Sequence, residues 1–183
     1  MTRYFCSITS PDLSTNRSRS YHARPVRYYL LDRVTDVVPG ESARGVKSVT
    51  LTDEVLHDHF PDHPILPGAL LVEAMAQLAG FLLEVTHNGD DRPLVRALLV
   101  QIAHAKFSHP AEPGDRIELA VKLGPSLDAA SQVDAEAHVD GKRIARAQLT
   151  FMMKAIESER VHEQRRYLYR LWTKHLEKAV RIP

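Results

Sequence analysis

The sequence predicts an α+β protein in which one long apolar helix lies against an antiparallel sheet. Stretches with strand-like patterning occur in the order strand, strand, helix and four more strands, and turn-forming residues separate them. The chain has 183 residues, of which 44% are hydrophobic and 26% are charged. This is the size and balance of one domain with a filled core and extra segments at its ends.

Two strand-like segments come first and are predicted to form a hairpin. The first, "VRYYLLDRVTDVV" (residues 26–38), is rich in aromatic and β-branched residues, and "PGES" (39–42) follows it as a turn. The second, "RGVKSVTLT" (44–52), alternates in the manner of a half-buried strand. Strands joined by so short a turn pair antiparallel.

The long helix is predicted to begin at Pro67-Gly68 and to continue through the apolar residues 69–84. Apolar side chains surround nearly the whole circumference, which indicates an enclosed helix. Glu73 and Gln77 are four residues apart and share one face, so one polar line runs along this helix. They also argue against a membrane span over residues 65–85, because a carboxylate in the middle of a bilayer is costly.

Four strand-like stretches follow the helix. Asp140-Gly141 between the last two predicts a tight hairpin, because glycine supplies the positive φ that such a turn needs. A further turn is predicted at "EPGD" (112–115). The stretches are "VRALLVQIAHAKF" (95–107), "DRIELAVKL" (115–123), "ASQVDAEAHV" (130–139) and "RIARAQLTFMM" (143–153).

The two ends differ from the central domain, which we place at residues 21–154. Residues 1–20 are rich in Ser, Thr, Asn and Arg and are predicted to be a flexible leader, without the apolar run of a secretory signal. Residues 155–183 predict a C-terminal amphipathic helix, with a stripe at Leu168, Leu171, Trp172, His175, Ala179 and Val180.

This C-terminal segment is basic. Its seven Arg and Lys (160, 165, 166, 170, 174, 178, 181) against four Glu (157, 159, 163, 177) leave a local charge of +3. The charge could hold an acidic partner. The Leu and Trp stripe favours a different interpretation, in which the helix packs on the protein's own body or on a neighbouring subunit.

Overall charge and cysteine content exclude some classes of function. The chain has 24 basic and 23 acidic residues, a net charge of +1, so the total gives no reason to expect nucleic-acid binding. Cys6 is the single cysteine, which rules out an intramolecular disulfide. That count is compatible with a reducing cytoplasm, which is the expected location.

Glu73 raises a chemical question, because a buried carboxylate must be paired, hydrogen-bonded or neutral. Held neutral, it would serve as a general acid. The structural alternative is that Glu73 only hydrogen-bonds Gln77 or a backbone group, and the helix alone does not decide between the two. A second reactive group nearby would.

His59 is such a group, since histidine suits general-base chemistry near neutral pH, although a lone histidine is also a common structural hydrogen-bonding residue. The prolines at 61, 64 and 67 would hold its segment in a fixed, non-helical path. Beside it, the N–H groups of Gly68, Ala69 and Leu70 open the helix and could stabilise an oxyanion. Base, acid and oxyanion donors in one short stretch suit proton removal beside a carbonyl, coupled to loss of a leaving group.

The stretch "HFPDHPILPGALLVEAMAQLAG" (59–80) closely resembles the signature of the FabZ-type 3-hydroxyacyl-acyl carrier protein dehydratases. The resemblance extends over residues 24–154, through "VRYYLLDRVTDVVPGESARGVKSVT", "KFSHPAEPGDRIELAV" and "AEAHVDGKRIARAQLTF". It implies the hot-dog fold, an antiparallel sheet wrapped around a long central helix. It also implies homodimers or trimers of dimers, with active sites at the dimer interface.

The resemblance also implies roles for individual residues. His59 would take the α-proton of a 3-hydroxyacyl thioester, Glu73 of the other subunit would protonate the departing hydroxyl, and Gly68 would donate its N–H to the thioester carbonyl. Gln77 would support Glu73. Lys106 and Phe107 match a basic residue and Phe that the family places on a strand near the pocket. The expected site thus comprises His59, Glu73 and Gly68, supported by Gln77, Asp58 and Pro67.

The expected reaction is dehydration to a trans-2-enoyl thioester, in fatty-acid or polyketide-like biosynthesis. The partner is an acyl carrier protein whose phosphopantetheine arm belongs to the substrate, so no dissociable cofactor is expected. One departure from the family pattern is Asp58, where the family usually has glycine; it adds a carboxylate and restricts the backbone.

Three other interpretations remain at this point. His57, His59 and His63, with the aspartates between them, could form a metal site, but this spacing is not a known ligand pattern and the prolines preclude an aligning helix. A hot-dog thioesterase is a second, because fold does not fix function. A non-catalytic subunit that binds a carrier protein is a third.

Overall fold

The computed structural model describes residues 28–89, 93–127 and 130–183, and the predicted leader at 1–20 lies outside them. The described residues form one antiparallel sheet and two α-helices, which confirms the predicted α+β class. The strands are β1 (Arg33–Val38), β2 (Ser42–Ser48), β3 (Val95–Phe107), β4 (Arg116–Leu127), β5 (Ala130–Val139) and β6 (Lys142–Ala155). The helices are α1 (Gly68–His87) and α2 (Glu159–Thr173).

The sheet has the order β1-β2-β4-β5-β6-β3, so β1 and β3 are its two edges. Both predicted hairpins with tight turns are present. Asp140 and Gly141 have φ of 49° and 75°, the pair of positive values that a primed turn requires. The predicted turn before β4 is also present, where Asp115 N–H donates to the Glu112 carbonyl at 3.0 Å.

The first strand is shorter than the sequence predicts. It begins at Arg33, although the aromatic and β-branched pattern starts at residue 26. The reason lies in the side chain of Gln77, which accepts the Leu30 N–H at 3.0 Å and donates to the Tyr28 carbonyl at 2.9 Å. Backbone groups that a neighbouring strand would bind are bound to a helix side chain instead.

Helix α1 is the centre of the core, as its apolar circumference predicts. The sheet covers one side, and α2 covers part of the other, where Phe81 meets the rings of Tyr169 and Trp172 edge-on at 5.0 and 6.5 Å. The helix is long and apolar enough to cross a membrane, but 67% of its most apolar window is buried inside the protein. It is therefore accounted for as the core helix.

The predicted C-terminal helix is present as α2 and packs on the protein's own body, but its inward face differs from the predicted stripe. Leu168 and Trp172 are buried as expected, whereas Leu171 is 50% exposed. The helix ends at Thr173, so the last three residues of the predicted stripe lie beyond it. His162 and Tyr169 face inward instead.

A buried polar network explains why His162 and Tyr169 face inward. Glu84 of α1 accepts hydrogen bonds from Arg96 of β3 and from the hydroxyl of Tyr169, each at 2.7 Å. Arg96 also donates to Nδ1 of His162 at 2.8 Å, and His162 donates through Nε2 to the Ile156 carbonyl at 2.7 Å. Burial, and then the charge of Glu84, raise the pKa of Tyr169 well above its usual value. The phenol therefore stays a donor, and α2 is fixed to α1 and β3.

Candidate active site

Glu73 is held on α1 by the residue four positions later. The Nε2 amide of Gln77 donates to Oε1 of Glu73 at 3.0 Å. That amide is itself fixed by the backbone of Tyr28 and Leu30, so its donor can point only towards the carboxylate. Oε2 of Glu73 has no hydrogen bond to any residue that the structure describes. One carboxylate oxygen is thus anchored and the other is available.

Glu73 lines a cleft of about 410 Å³, which we call the tyrosine cleft. Its walls are the segment before β1, the polar pair on α1 and the inward face of α2. The lining residues are Tyr28, Tyr29, Glu73, Gln77, Val161, Gln164, Arg165 and Leu168. Glu73 is half-buried, so a ligand in this cleft would contact the carboxylate without any movement of the Glu73 side chain.

His59 lies in the irregular segment between β2 and α1, after one turn of 3-10 helix at Glu54–Leu56. Its carbonyl accepts the Ile65 N–H at 2.8 Å, and its half-buried ring stacks on that of Phe60 with centroids 4.4 Å apart. The ring nitrogens form no hydrogen bond with the described residues. They are free to act on a ligand.

The start of α1 offers fewer free N–H groups than the sequence suggests. Leu70 donates to the Pro67 carbonyl at 2.9 Å, so it is not an oxyanion donor. Gly68 and Ala69 donate to no described residue. A Cβ at Gly68 would lie 2.9 Å from the ring of Phe107, at the end of β3. The Phe107 ring covers the start of α1, so only glycine fits at position 68. Phe107 therefore lies beside the Gly68 N–H, the predicted oxyanion donor.

Asp58 does not disturb the backbone in the way its replacement of glycine suggests. Among the described residues other than glycine, only Asp62 and Asp140 have positive φ, so position 58 has a conformation open to any residue. Its side chain is exposed, as are His57 and His63. No group of three or more His, Cys, Asp or Glu among the residues described has the placement to hold a metal ion.

The structure therefore brings the predicted residues together in two groups. Glu73 and Gln77 form one, and Gly68 and Phe107 form the other, about 7.5 Å further back along the helix at 1.5 Å per residue. No hydrogen bond joins His59 to Glu73 within one chain. Sequence reasoning missed the tyrosine cleft, because its walls come from three segments, residues 28–29, 73–77 and 161–168, that are far apart in the chain.

Comparison with known proteins identifies the relatives of this chain. Residues 24–148 match the model of the FabA-like domain. A 3-hydroxyacyl-[acyl-carrier-protein] dehydratase FabZ of Bordetella petrii is 35% identical over 150 residues, covering 80% of this chain and 98% of the relative. The corresponding protein of Brucella ovis is 38% identical over 135 residues, covering 73% of this chain and 85% of the relative.

Solved structures share the fold at lower identity. A protein from Streptococcus mutans UA159, solved with acetyl CoA bound, has a TM-score of 0.56 at 14% identity and covers 75% of this chain and 99% of its own. A hot-dog-like protein from Thermanaerovibrio acidaminovorans has a TM-score of 0.54 at 17% identity, covering 75% of this chain and 93% of its own. The sheet wrapped around α1 is thus the predicted hot-dog fold.

Proposed function

Since this chain belongs to the FabZ-type 3-hydroxyacyl-acyl carrier protein dehydratases and carries their FabA-like domain, we propose that it removes water from a 3-hydroxyacyl group on an acyl carrier protein. The product is the trans-2-enoyl thioester, formed in fatty-acid or polyketide-like biosynthesis. The observation that carries the proposal is the carboxylate of Glu73, which lines a cleft with one oxygen anchored by Gln77 and the other without a hydrogen bond to the described residues.

The proposed chemistry uses one base and one acid. A ring nitrogen of His59 takes the α-proton, and the electrons of that C–H bond form the C2–C3 double bond as the C3–O bond breaks. Glu73 gives its proton to the departing hydroxyl, which leaves as water. The N–H of Gly68 donates to the thioester carbonyl while negative charge collects there. Exchange with solvent returns both side chains to their starting states.

We propose that two copies of the chain share each site. Strand β3 is an edge of the sheet and carries exposed apolar side chains at Leu98, Val100, Ile102 and Phe107. A long apolar edge with unpaired backbone groups is a template for pairing with another chain. A second copy of β3, related by a two-fold axis, would satisfy those groups and cover the apolar residues.

Such pairing accounts for the separation of His59 from Glu73 within one chain. Helix α1 runs antiparallel to β3, since Gly68 meets Phe107 and a Cβ at Gly80 would lie 3.9 Å from that of Ala97. Antiparallel pairing of two β3 strands, centred in the half of β3 nearer Phe107, would bring the helix start of one copy towards the first turns of α1 in the other. His59 of one copy would then face Glu73 of its partner.

We further propose the setting in which the enzyme works. The acid and base supply both proton transfers, so the reaction needs no metal and no dissociable cofactor. The phosphopantetheine arm arrives with the carrier protein. The single cysteine, Cys6, is compatible with a cytoplasmic location.

The proposed reaction is tested by incubating the purified full chain with a 3-hydroxyacyl carrier protein and following the thioester by mass. We expect the acyl group to lose the mass of one water and to show the absorbance of an enoyl thioester. Release of free thiol without an enoyl product would identify a thioesterase instead. Binding of the carrier protein without either product would identify a non-catalytic subunit.

Substitution of Gly68 by alanine should lower kcat/KM by up to about 100-fold, because the new methyl group meets the Phe107 ring and displaces the N–H donor. Steady-state kinetics of three variants test this. Adding Phe107→Ala should restore part of the rate, since the conflicting ring is removed. Gly89→Ala, where a Cβ would have no neighbour within 4 Å, is the control. An unchanged rate in Gly68→Ala would show that this N–H is not used.

A further inference from the structure

Helix α2 adds a wall to the site. This helix lies outside residues 24–148, which match the FabA-like domain. Besides the tyrosine cleft, a second cleft of about 220 Å³ runs along α1 from Glu73 to Glu84, between β3 and α2. We call it the β3 cleft. Three residues line both clefts, and they are Glu73, Gln77 and Arg165. Arg165 is the only one of the three that α2 contributes.

Arg165 stands on the inward face of α2, at helical spacing from the buried residues His162, Tyr169 and Trp172. Those three residues pack into the core or bind the network around Glu84, so the backbone that carries Arg165 is fixed. The side chain of Arg165 is half-buried. Its position is set by the fold, in contrast to the exposed arginines of the same helix.

Arg165 forms no hydrogen bond and no ion pair with the part of the chain that the structure describes. Among the residues described, the other arginines that turn inward have carboxylate partners: Arg96 pairs with Glu84, and Arg166 pairs with Glu159. A guanidinium presents five N–H donors in a planar fork that matches a carboxylate. A half-buried guanidinium without an acceptor, at the wall of a cleft, is therefore a site for an oxygen-bearing ligand.

The neighbouring polar groups favour the same class of ligand. Gln164 donates to the hydroxyl oxygen of Tyr29 at 3.4 Å, which leaves the hydroxyl hydrogen of Tyr29 for another acceptor. The amide of Gln77 is fully used by Glu73 and by the backbone before β1. Apart from the free oxygen of Glu73, which the proposed reaction uses, the free groups named here are donors. An anionic oxygen group would satisfy them.

We propose that Arg165 is a specificity-determining residue that binds a carboxylate on the acyl chain of the substrate. This inference rests on the proposed dehydratase function, which places the 3-hydroxyl of the substrate at Glu73. An acyl chain that continues past Glu73 enters a cleft lined by Arg165, where a carboxylate forms a charge-assisted hydrogen bond. A chain that ends in a methyl group leaves the guanidinium without a partner.

The test compares two 3-hydroxyacyl carrier protein substrates of equal chain length, one ending in a carboxylate and one in a methyl group. We expect the wild-type protein to favour the carboxylate substrate by about tenfold or more in kcat/KM. In Arg165→Leu that ratio should fall by at least the same factor, and in Arg165→Lys it should lie between the two. Arg170→Gln, an exposed arginine on the same helix, should keep the wild-type ratio.

The test distinguishes failure of the role of Arg165 from failure of the dehydratase function. Wild-type preference for the methyl substrate overturns the inference about Arg165 and leaves the dehydratase function standing, and this result does not depend on any variant folding. An equal loss on both substrates in Arg165→Leu would mean that the residue binds the arm common to both, which also overturns it. If neither substrate is dehydrated by the wild-type protein, the proposed function fails and this inference fails with it.

Discussion

Glu73→Gln is expected to lower kcat/KM for dehydration by about 10²–10⁴-fold, the usual contribution of a general acid, with little change in melting temperature. A glutamine carbonyl oxygen at this position can still accept the hydrogen bond from Gln77, so the local structure is kept. The proton for the departing hydroxyl is lost. His59→Ala should have an effect of similar size, because the α-proton then has no acceptor.

These losses are measured with a 3-hydroxyacyl carrier protein substrate at saturating and limiting concentrations. The loss should appear mainly in kcat, since both groups act on the reacting atoms. His63→Ala is the matched control, because His63 lies in the same segment but is exposed. Retention of more than about a tenth of the activity in Glu73→Gln would remove Glu73 from the role of acid.

Glu84→Ala is expected to lower the free energy of unfolding by about 3–5 kcal/mol. Glu84 and Arg96 are 1% and 3% exposed, so the substitution leaves a buried guanidinium without its carboxylate. It also removes the acceptor of the Tyr169 hydroxyl and of the Ala97 N–H. Because these bonds join α2 to the core, α2 should be the first element to lose protection.

Chemical unfolding gives the free energy, and hydrogen exchange shows where protection is lost. The control is Glu118→Ala, which breaks an ion pair whose side chains are 57% and 58% exposed and should cost at most about 1 kcal/mol. Similar costs for the two substitutions would contradict the assignment of the network as the anchor of α2. The wild-type network should remain intact in mildly alkaline solution, since the pKa of Tyr169 is raised by burial.

Much of the fold follows from local patterns. The bounds of β3 and β5 coincide with the predicted stretches, because strong alternation or β-branched content and flanking turn residues define both ends. The enclosure of α1 follows from its apolar circumference. The start of β1 does not follow from the pattern, because the side chain of Gln77, 47 positions from Leu30, binds the backbone there.

The site is predictable only where one segment contains it. His59, Gly68 and Glu73 lie within 15 consecutive residues, 59–73, so their chemistry can be inferred from the sequence. The partners of Glu84 lie up to 85 positions away, and no local pattern marks them. For the same reason the predicted stripe on α2 includes Leu171 and omits Tyr169, since a buried Tyr requires an acceptor that only the tertiary structure supplies.

The shared site between two copies is tested most directly by combining the two inactive variants. His59→Ala and Glu73→Gln are produced with different tags, co-refolded, and the mixed dimers are isolated and assayed. In each mixed dimer one site has both lesions and the other has an intact His59 and an intact Glu73, so about half of the wild-type activity should return. Activity no greater than that of the separate variants would contradict the account.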